Sequence, residues 1–122
     1  MADRILIRNL LLRAVIGVND EERRNVQDVV LNITLETDTQ AAGRSDRIED
    51  TVNYRTITKQ VIAHVEDSRY YLVEKLAAEV ARLCLGYAGV LRATVRVEKP
   101  GALRFADSVG IEITRTREDF LM

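Results

Sequence analysis

The spacing of apolar residues in this chain changes twice, from strand spacing to helix spacing and back again. The stretch VVLNITLET alternates apolar and polar side chains, and its apolar face consists of Val29, Leu31, Ile33 and Leu35. Such alternation is typical of an antiparallel strand with one buried face. The last third alternates again, with one face made of Leu91, Ala93, Val95, Val97 and Lys99. Alternation on both sides of a helical middle indicates an α+β fold with an antiparallel sheet.

The middle of the chain predicts two helices. The first begins near Asn53, with Thr51 or Asn53 as its capping residue. Its apolar side chains recur at helical spacing, at Tyr54, Ile57, Val61 and Val65. The second covers the stretch YLVEKLAAEVARLCLGYAG and ends at Gly86 or Gly89. Its predicted apolar stripe consists of Leu72, Val73, Leu76, Val80, Leu83 and Cys84.

Two further strands complete the predicted sheet. Residues 4–13 resemble a strand with apolar residues on both parities, so its buried face stays undecided, and a long charged connection follows. The last strand is predicted from Val109, Ile111 and Ile113. The order is β-β-α-α-β-β in a single domain, residues 1–122, with two helices on one face of an antiparallel sheet. Its two open edges favour pairing with neighbouring copies or closure into a barrel, so we expect an oligomer.

Composition argues against several classes of function. The net charge is −1, from 18 basic and 19 acidic side chains that are well mixed, which argues against a nucleic-acid surface or a membrane anchor. One cysteine, Cys84, and one histidine, His64, are too few for a zinc site, and no Gly-rich nucleotide motif occurs. We expect a cytoplasmic protein without metal, and acid–base chemistry of Lys, Glu and Tyr remains open to it.

Lys99 is the residue that the pattern singles out. It falls on the apolar parity of its strand, and Pro100–Gly101 ends the strand directly after it. Burial disfavours the charged form of a lysine and lowers its pKa, which suits a residue that donates and accepts protons. The alternative is a structural lysine whose stem packs while its ammonium group reaches water. Removing a poorly solvated amine is expected to cost little stability.

Three other residues have both a structural and a functional interpretation. Glu74 lies in the first turn of the second helix, where a carboxylate stabilises the helix N-terminus. Tyr54 starts the first helix, and its phenol can point either to the core or to a cleft. Glu22 lies in the acidic stretch NDEERR and by itself is typical of a solvated surface.

Four stretches resemble the dihydroneopterin aldolase family over about residues 3–115. They are IRNLLLRAVIGVNDEE, RSDRIEDTVNYRTITKQVIAHVE, YLVEKLAAEVA and VRVEKPGALRFADSVGIEI. The second contains the family's D-T-V-x-Y pattern, and the third resembles its L-[LIV]-E-x-L-A-E segment. Each stretch alone is modestly specific, but all four in this order and spacing are strongly specific for the family.

Two departures from the aldolase pattern resemble the epimerase branch of that family. Aldolases usually carry a histidine before the glycine of the first turn, where this chain has Ile16. They also carry a proline-rich segment after the lysine, where this chain has PGALRFADSV. The resemblance therefore implies epimerisation at C2′ of 7,8-dihydroneopterin triphosphate, in pterin metabolism. The alternatives are a 7,8-dihydroneopterin aldolase of folate biosynthesis and a ring that binds pterins without turnover.

The family's fold is the tunnelling fold, or T-fold, in which β-β-α-α-β-β subunits join their sheets into a multi-subunit barrel. The resemblance implies a homo-octamer of two stacked tetrameric rings with active sites between subunits. Tyr54 and Lys99 of one site can then come from different chains. It implies a pterin substrate and no cofactor, metal, nucleic-acid or membrane partner.

The resemblance also implies which residues bind the substrate. Glu74 holds the amino group and a ring N–H of the pterin with both carboxylate oxygens, a charge-assisted contact. The Val73 backbone completes that edge. Arg104 is expected to contact the triphosphate, with Arg13 and Arg55 as alternatives and a solvated surface arginine as the structural interpretation.

Proton transfer is implied for three residues. Lys99 is the expected general acid–base near N5 and the 2′-hydroxyl, while Tyr54 and Glu22 line the pocket and handle protons. Loss of the 2′-hydroxyl proton lets the C1′–C2′ bond break, and the ring accepts the electrons as an enamine. An aldolase then releases glycolaldehyde, whereas an epimerase re-forms the bond with C2′ inverted.

Overall fold

The computed structural model describes residues 3–122, which form four strands and four α-helices. In chain order these are β1 (Asp3–Ala14), α1 (Asp20–Arg24), β2 (Gln27–Thr37), α2 (Gln40–Ser45), α3 (Tyr54–Asp67), α4 (Val73–Leu85), β3 (Arg92–Pro100) and β4 (Ser108–Arg115). Short 3-10 turns cover Ile48–Asp50 and Arg117–Phe120. The short helix α1 lies in the long charged connection after the first strand, and α2 lies before the first predicted helix.

The sheet has the strand order β1-β2-β3-β4, and every neighbouring pair is antiparallel. Helix α3 packs against β1, while α4 packs against β3 and β4, and the two helices contact each other. The predicted α+β architecture with two long helices on one face is therefore confirmed. Within the chain, β1 and β4 each pair with a single strand, so each leaves one edge open.

A β-bulge explains why β1 is apolar on both parities. Ile7 pairs with Ile33 and Leu10 with Leu31, so three steps along β1 match two along β2. Asn9 takes the left-handed conformation there, with φ 54°, and its N–H donates to the Asn32 side chain at 2.9 Å. The extra residue turns the apolar face from odd to even positions, and both halves of β1 then face the helices.

The core lies between the sheet and the two long helices. The predicted apolar faces of β2 and of the middle of β3 are fully buried there, and so are the apolar positions of α3 after Tyr54. Two residues that the patterns assign to the apolar faces of α4 and β3 are exposed instead. Leu72 precedes α4 and is 53% exposed, and Leu91 precedes β3 and is 51% exposed.

The starts of the two long helices determine where Tyr54 and Glu74 lie. Asn53 caps α3, because its side-chain oxygen accepts from the N–H groups of Arg55 and Thr56. Helix α4 ends at the predicted Gly86 and begins at Val73, so Glu74 lies in its first turn. None of the helices among residues 3–122 is both long and apolar enough to cross a membrane.

Candidate active site

A lysine–glutamate pair lies where β3 ends. Lys99 continues the face of β3 formed by Ala93, Val95 and Val97, and only 14% of its side chain is exposed. Its Nζ donates a hydrogen bond to Oε2 of Glu22 at 2.7 Å. The family resemblance implies that both residues line one pocket, but no residue pattern pairs them directly, because they are far apart in the chain and Glu22 lies on a charged helix.

Helix α1 and Gly17 position the Glu22 carboxylate. The Asn19 side chain caps α1 and accepts from the N–H of Glu22 at 2.8 Å. Gly17 has φ 136°, in the region that side chains disfavour, and a Cβ added to it would lie 2.2 Å from Cδ of Glu22. Only a glycine therefore leaves space for the Glu22 carboxylate at this place.

Gln27 is the second donor to Glu22. Its Nε2 donates to the Ile16 carbonyl at 2.6 Å and to Oε2 of Glu22 at 3.3 Å. The pKa of Glu22 is lowered, first by the hydrogen bond from Lys99 and, more weakly, by the one from Gln27, while desolvation partly opposes them. In the free protein, Glu22 is therefore an ionised carboxylate held beside an ammonium group.

The pair lies in the wall of an open cavity of about 390 Å³. Four of the residues selected from the sequence line it, namely Glu22, Val73, Glu74 and Lys99, and Gly17, Tyr71 and Leu72 add to the same wall. Its volume lies within the range of small-molecule sites, roughly 300–1,000 Å³. Donors, acceptors and apolar surface are therefore combined in a space that can hold a ring-sized ligand.

Two selected residues lie outside this cavity. Tyr54 is 61% exposed at the start of α3, and Arg104 lies in the loop between β3 and β4 with its guanidinium 5.0 Å from the Phe105 ring. The residue before Tyr54 lines another cavity, of about 450 Å³, that also contains Asp38, Glu49 and Asp50. None of the site residues selected from the sequence lines that second cavity, whereas four of them line the cavity at Lys99, which is therefore the better candidate.

The sequence predictions left out a site residue that could have been found, as Lys99 was, from its place on an apolar strand face. Gln27 shares the parity of Val29 and Leu31, so it is a polar residue on an apolar face, as Lys99 is. Tyr71 and Leu72 gave no such signal, because their exposure depends on where α4 begins. Among residues 3–122, no three His, Cys, Asp or Glu side chains come together in a way that could hold a metal ion.

The fold that carries this site is that of a known protein family. A family model described as FolB, dihydroneopterin aldolase, matches residues 5–114, and the chain belongs to the dihydroneopterin aldolase family. Within it, the chain is 42% identical to the dihydroneopterin triphosphate 2′-epimerase of Escherichia coli K12, over 93% of this chain and 94% of that protein. The expected family membership is therefore confirmed.

Solved structures agree with this assignment. A crystal structure of the FolB protein from Vibrio cholerae has a TM-score of 0.92 and 37% identity, and covers 96% of this chain and 99% of that one. The Escherichia coli dihydroneopterin aldolase in complex with neopterin has a TM-score of 0.89 and 36% identity, covering 93% and 98%. The chain spans only 18% of another relative, the Folic acid synthesis protein FOL1 of Dictyostelium discoideum, at 40% identity.

The ion pair changes the expectation that removing Lys99 costs little stability. Because the folded-state pKa of Glu22 lies below its ordinary value of 4.5, Glu22 adds stability at pH 7 that is lost as the pH falls below 4.5 and through the folded-state pKa. Lys99→Met should therefore lower the free energy of unfolding by about 1–2 kcal/mol at pH 7. The deficit should shrink in acid. Urea unfolding from pH 7 to pH 3 measures it.

Lys59→Met is the matched control, since Lys59 is an exposed lysine on α3. It should change the unfolding free energy little at any pH. A Lys99→Met deficit that stays constant down to pH 3 would contradict the role of the pair.

Proposed function

We propose that this protein is an enzyme that epimerises C2′ of 7,8-dihydroneopterin triphosphate to give dihydromonapterin triphosphate, in the cytoplasm. The observation that carries the proposal is the Lys99–Glu22 pair, 2.7 Å apart, in one cavity with Glu74. Its support from relatives is the 42% identity, over nearly the full length of both chains, to an epimerase of this name.

The pterin ring is proposed to bind at the start of α4. Glu74 lines the cavity from the first turn of that helix, where its carboxylate oxygens can accept from two parallel N–H groups. The amino group and ring N–H of a pterin form such a pair of donors. Val73, beside it, is proposed to complete the edge with its backbone. This arrangement orients the ring while leaving the side chain of the substrate free to reach Lys99.

The reaction is proposed to proceed by reversible cleavage of the C1′–C2′ bond. A base removes the 2′-hydroxyl proton, the bond breaks, and its electron pair moves through C6 to N5, which takes up a proton. Lys99 is proposed as the general acid–base in these transfers, since its amino group lies at the cavity wall, can take up the 2′-hydroxyl proton as the neutral amine and can return it as the ammonium group. The ionised Glu22 carboxylate, in short contact with Lys99, can accept the ammonium proton and so leave the amine free to act as the base.

Epimerisation and aldol cleavage share the enamine intermediate. If the aldehyde fragment turns and adds back, C2′ is inverted; if it leaves, the reaction is that of an aldolase. The second candidate function is therefore 7,8-dihydroneopterin aldolase, which releases glycolaldehyde and 6-hydroxymethyl-7,8-dihydropterin. The 36% identity to a dihydroneopterin aldolase crystallised with neopterin supports it. The higher identity to the epimerase favours the first candidate.

We further propose that the site is completed by a neighbouring subunit in an octamer of two stacked tetrameric rings. Tyr54 is an exposed phenol outside the cavity of its own chain, and the open edges of β1 and β4 can pair with other copies. Tyr54 of one chain is then proposed to handle protons in the cavity of the next. Arg104 is kept as the proposed contact for the triphosphate, because its loop follows the strand of Lys99.

Product analysis tests the proposed function together with the role of Lys99. Chiral chromatography of products from 7,8-dihydroneopterin triphosphate, with glycolaldehyde assayed in parallel, should show more epimer than aldehyde. Lys99→Ala should lower the rates of both products by about 10²–10⁴-fold, because both depend on the same proton transfer. Lys59→Ala should leave both rates unchanged.

Two results would contradict this account. A wild-type protein that forms glycolaldehyde faster than the epimer is an aldolase, and one that binds pterins without turnover is neither enzyme. A folded Lys99→Ala variant with a near wild-type rate would show that Tyr54 or Glu22, and not Lys99, transfers the proton.

Glu74 is expected to determine pterin affinity. A charge-assisted hydrogen bond contributes about 1.5–3 kcal/mol, so Glu74→Ala should weaken binding of substrate and of side-chain-free pterins alike by roughly tenfold or more. Glu66→Ala, which removes an exposed glutamate from α3, is the control. If a folded Glu74→Ala variant binds pterins with unchanged affinity, the only role left for Glu74 is to stabilise the helix N-terminus.

Mixing two inactive variants tests whether the site is shared. If Tyr54 and Lys99 of one site come from different chains, Tyr54→Ala and Lys99→Ala proteins unfolded and refolded together should form some sites with both residues intact. Random pairing of equal amounts leaves about a quarter of the sites intact. Activity should therefore rise towards that fraction of wild type. Two variants that stay inactive after mixing, or a monodisperse active monomer in sedimentation, would exclude the shared site.

A further inference from the structure

Arg23 makes an unusually complete set of contacts for a residue on a short surface helix. Its Nη1 donates to the Gly17 and Tyr70 carbonyls, both at 3.1 Å, and its Nη2 donates to the Arg69 carbonyl at 2.7 Å. The guanidinium also lies over the Tyr71 ring, 3.9 Å from its centre. One planar cation therefore joins the turn before α1 to the segment before α4.

The attachment is reciprocal. The Arg69 side chain donates to the Arg23 carbonyl at 2.9 Å, and the Gly17 N–H donates to the Tyr70 carbonyl at 3.3 Å. Helix α1 has five residues, and none of them is buried. Because α1 contributes no side chain to the core, these polar contacts have a large share in fixing its place.

The two segments that Arg23 joins are two walls of the candidate site. Helix α1 carries Glu22, the partner of Lys99, and the segment before α4 carries Tyr71 and leads to Glu74. We propose that Arg23 is a positioning residue that holds Glu22 in register with Lys99 by tying α1 to the segment before α4. Arg23 itself does not line the cavity. The expected change in kcat rests on the proposed function, whereas the positioning of Glu22 does not.

The contacts require an arginine rather than a positive charge alone. Three carbonyl acceptors and an aromatic face match the planar fork of a guanidinium, whereas a lysine ammonium is a compact donor that cannot stack in the same way. Glu22 contacts the charged Lys99 from β3 and the neutral Gln27 from β2, and the charged Glu74 from α4 lines the same cavity. Loosening α1 should separate Glu22 mainly from Lys99 and Gln27.

The test compares Arg23→Gln and Arg23→Lys with Arg24→Gln, which removes an exposed arginine from the same helix. The first readout is independent of activity: carboxyl carbon NMR of the full-length protein follows the pKa of Glu22, assigned with Glu22→Gln. In Arg23→Gln this pKa should rise towards its ordinary value, and in Arg24→Gln it should stay low. The second readout is steady-state kinetics with 7,8-dihydroneopterin triphosphate.

Arg23→Gln should lower kcat by roughly ten- to a hundredfold, because small misplacements of a catalytic group have costs of this order. KM should change by less than about threefold, since the pterin edge is held elsewhere. Arg23→Lys should recover part of kcat at most. If Arg23→Gln does not fold, both measurements are made on Arg23→Lys. We then expect an intermediate rise in the pKa of Glu22 and an intermediate loss of kcat.

A folded Arg23 variant that only melts earlier, with the pKa of Glu22 still low and kcat unchanged, would overturn the proposal. If the wild-type protein does not turn the substrate over, the proposed function fails. The NMR titration then still decides whether Arg23 positions Glu22.

Discussion

The ion pair between Lys99 and Glu22 is the contact on which the candidate site depends. It needs the apolar parity of β3 to carry Lys99 inward and the turn at Gly17 to bring α1 over the end of that strand. It also needs Gln27 at the start of β2, which donates to the same carboxylate oxygen. Helix α1, the start of β2 that follows it closely, and the distant end of β3 therefore meet at one oxygen atom, and the cavity lies beside it.

The pair is a poor candidate for a purely stabilising device. Ion pairs open to solvent contribute about 0–1 kcal/mol, and a pair that is partly buried also loses hydration. With 14% and 23% of the two side chains exposed, Lys99 and Glu22 are shielded from bulk water yet open to the cavity. A carboxylate and an ammonium group in contact are instead suited to exchange a proton with a ligand in the cavity beside them, as the proposed epimerisation requires.

Much of the fold follows from local patterns, and the exceptions have physical reasons. The alternation of β2 predicted its buried face correctly, because side chains in a strand alternate strictly. The face of β1 could not be assigned, since the bulge at Asn9 exchanges the two faces and depends on a hydrogen bond to Asn32 in the neighbouring strand. Leu72 was assigned to the core because its spacing is helical, but α4 begins one residue later.

What the sequence by itself determined is the element order, the core faces of β2 and β3, and the anomaly of a lysine at the end of an apolar face. These features depend on period and local backbone chemistry, which neighbouring residues encode. Only the tertiary structure decided that Glu22 contacts Lys99 directly, that Gly17, Tyr71 and Leu72 also line the cavity, and that Tyr54 and Arg104 lie outside it. The physical reason is that such contacts depend on where loops and short helices come to rest, and α1 is held there by hydrogen bonds to segments distant in sequence.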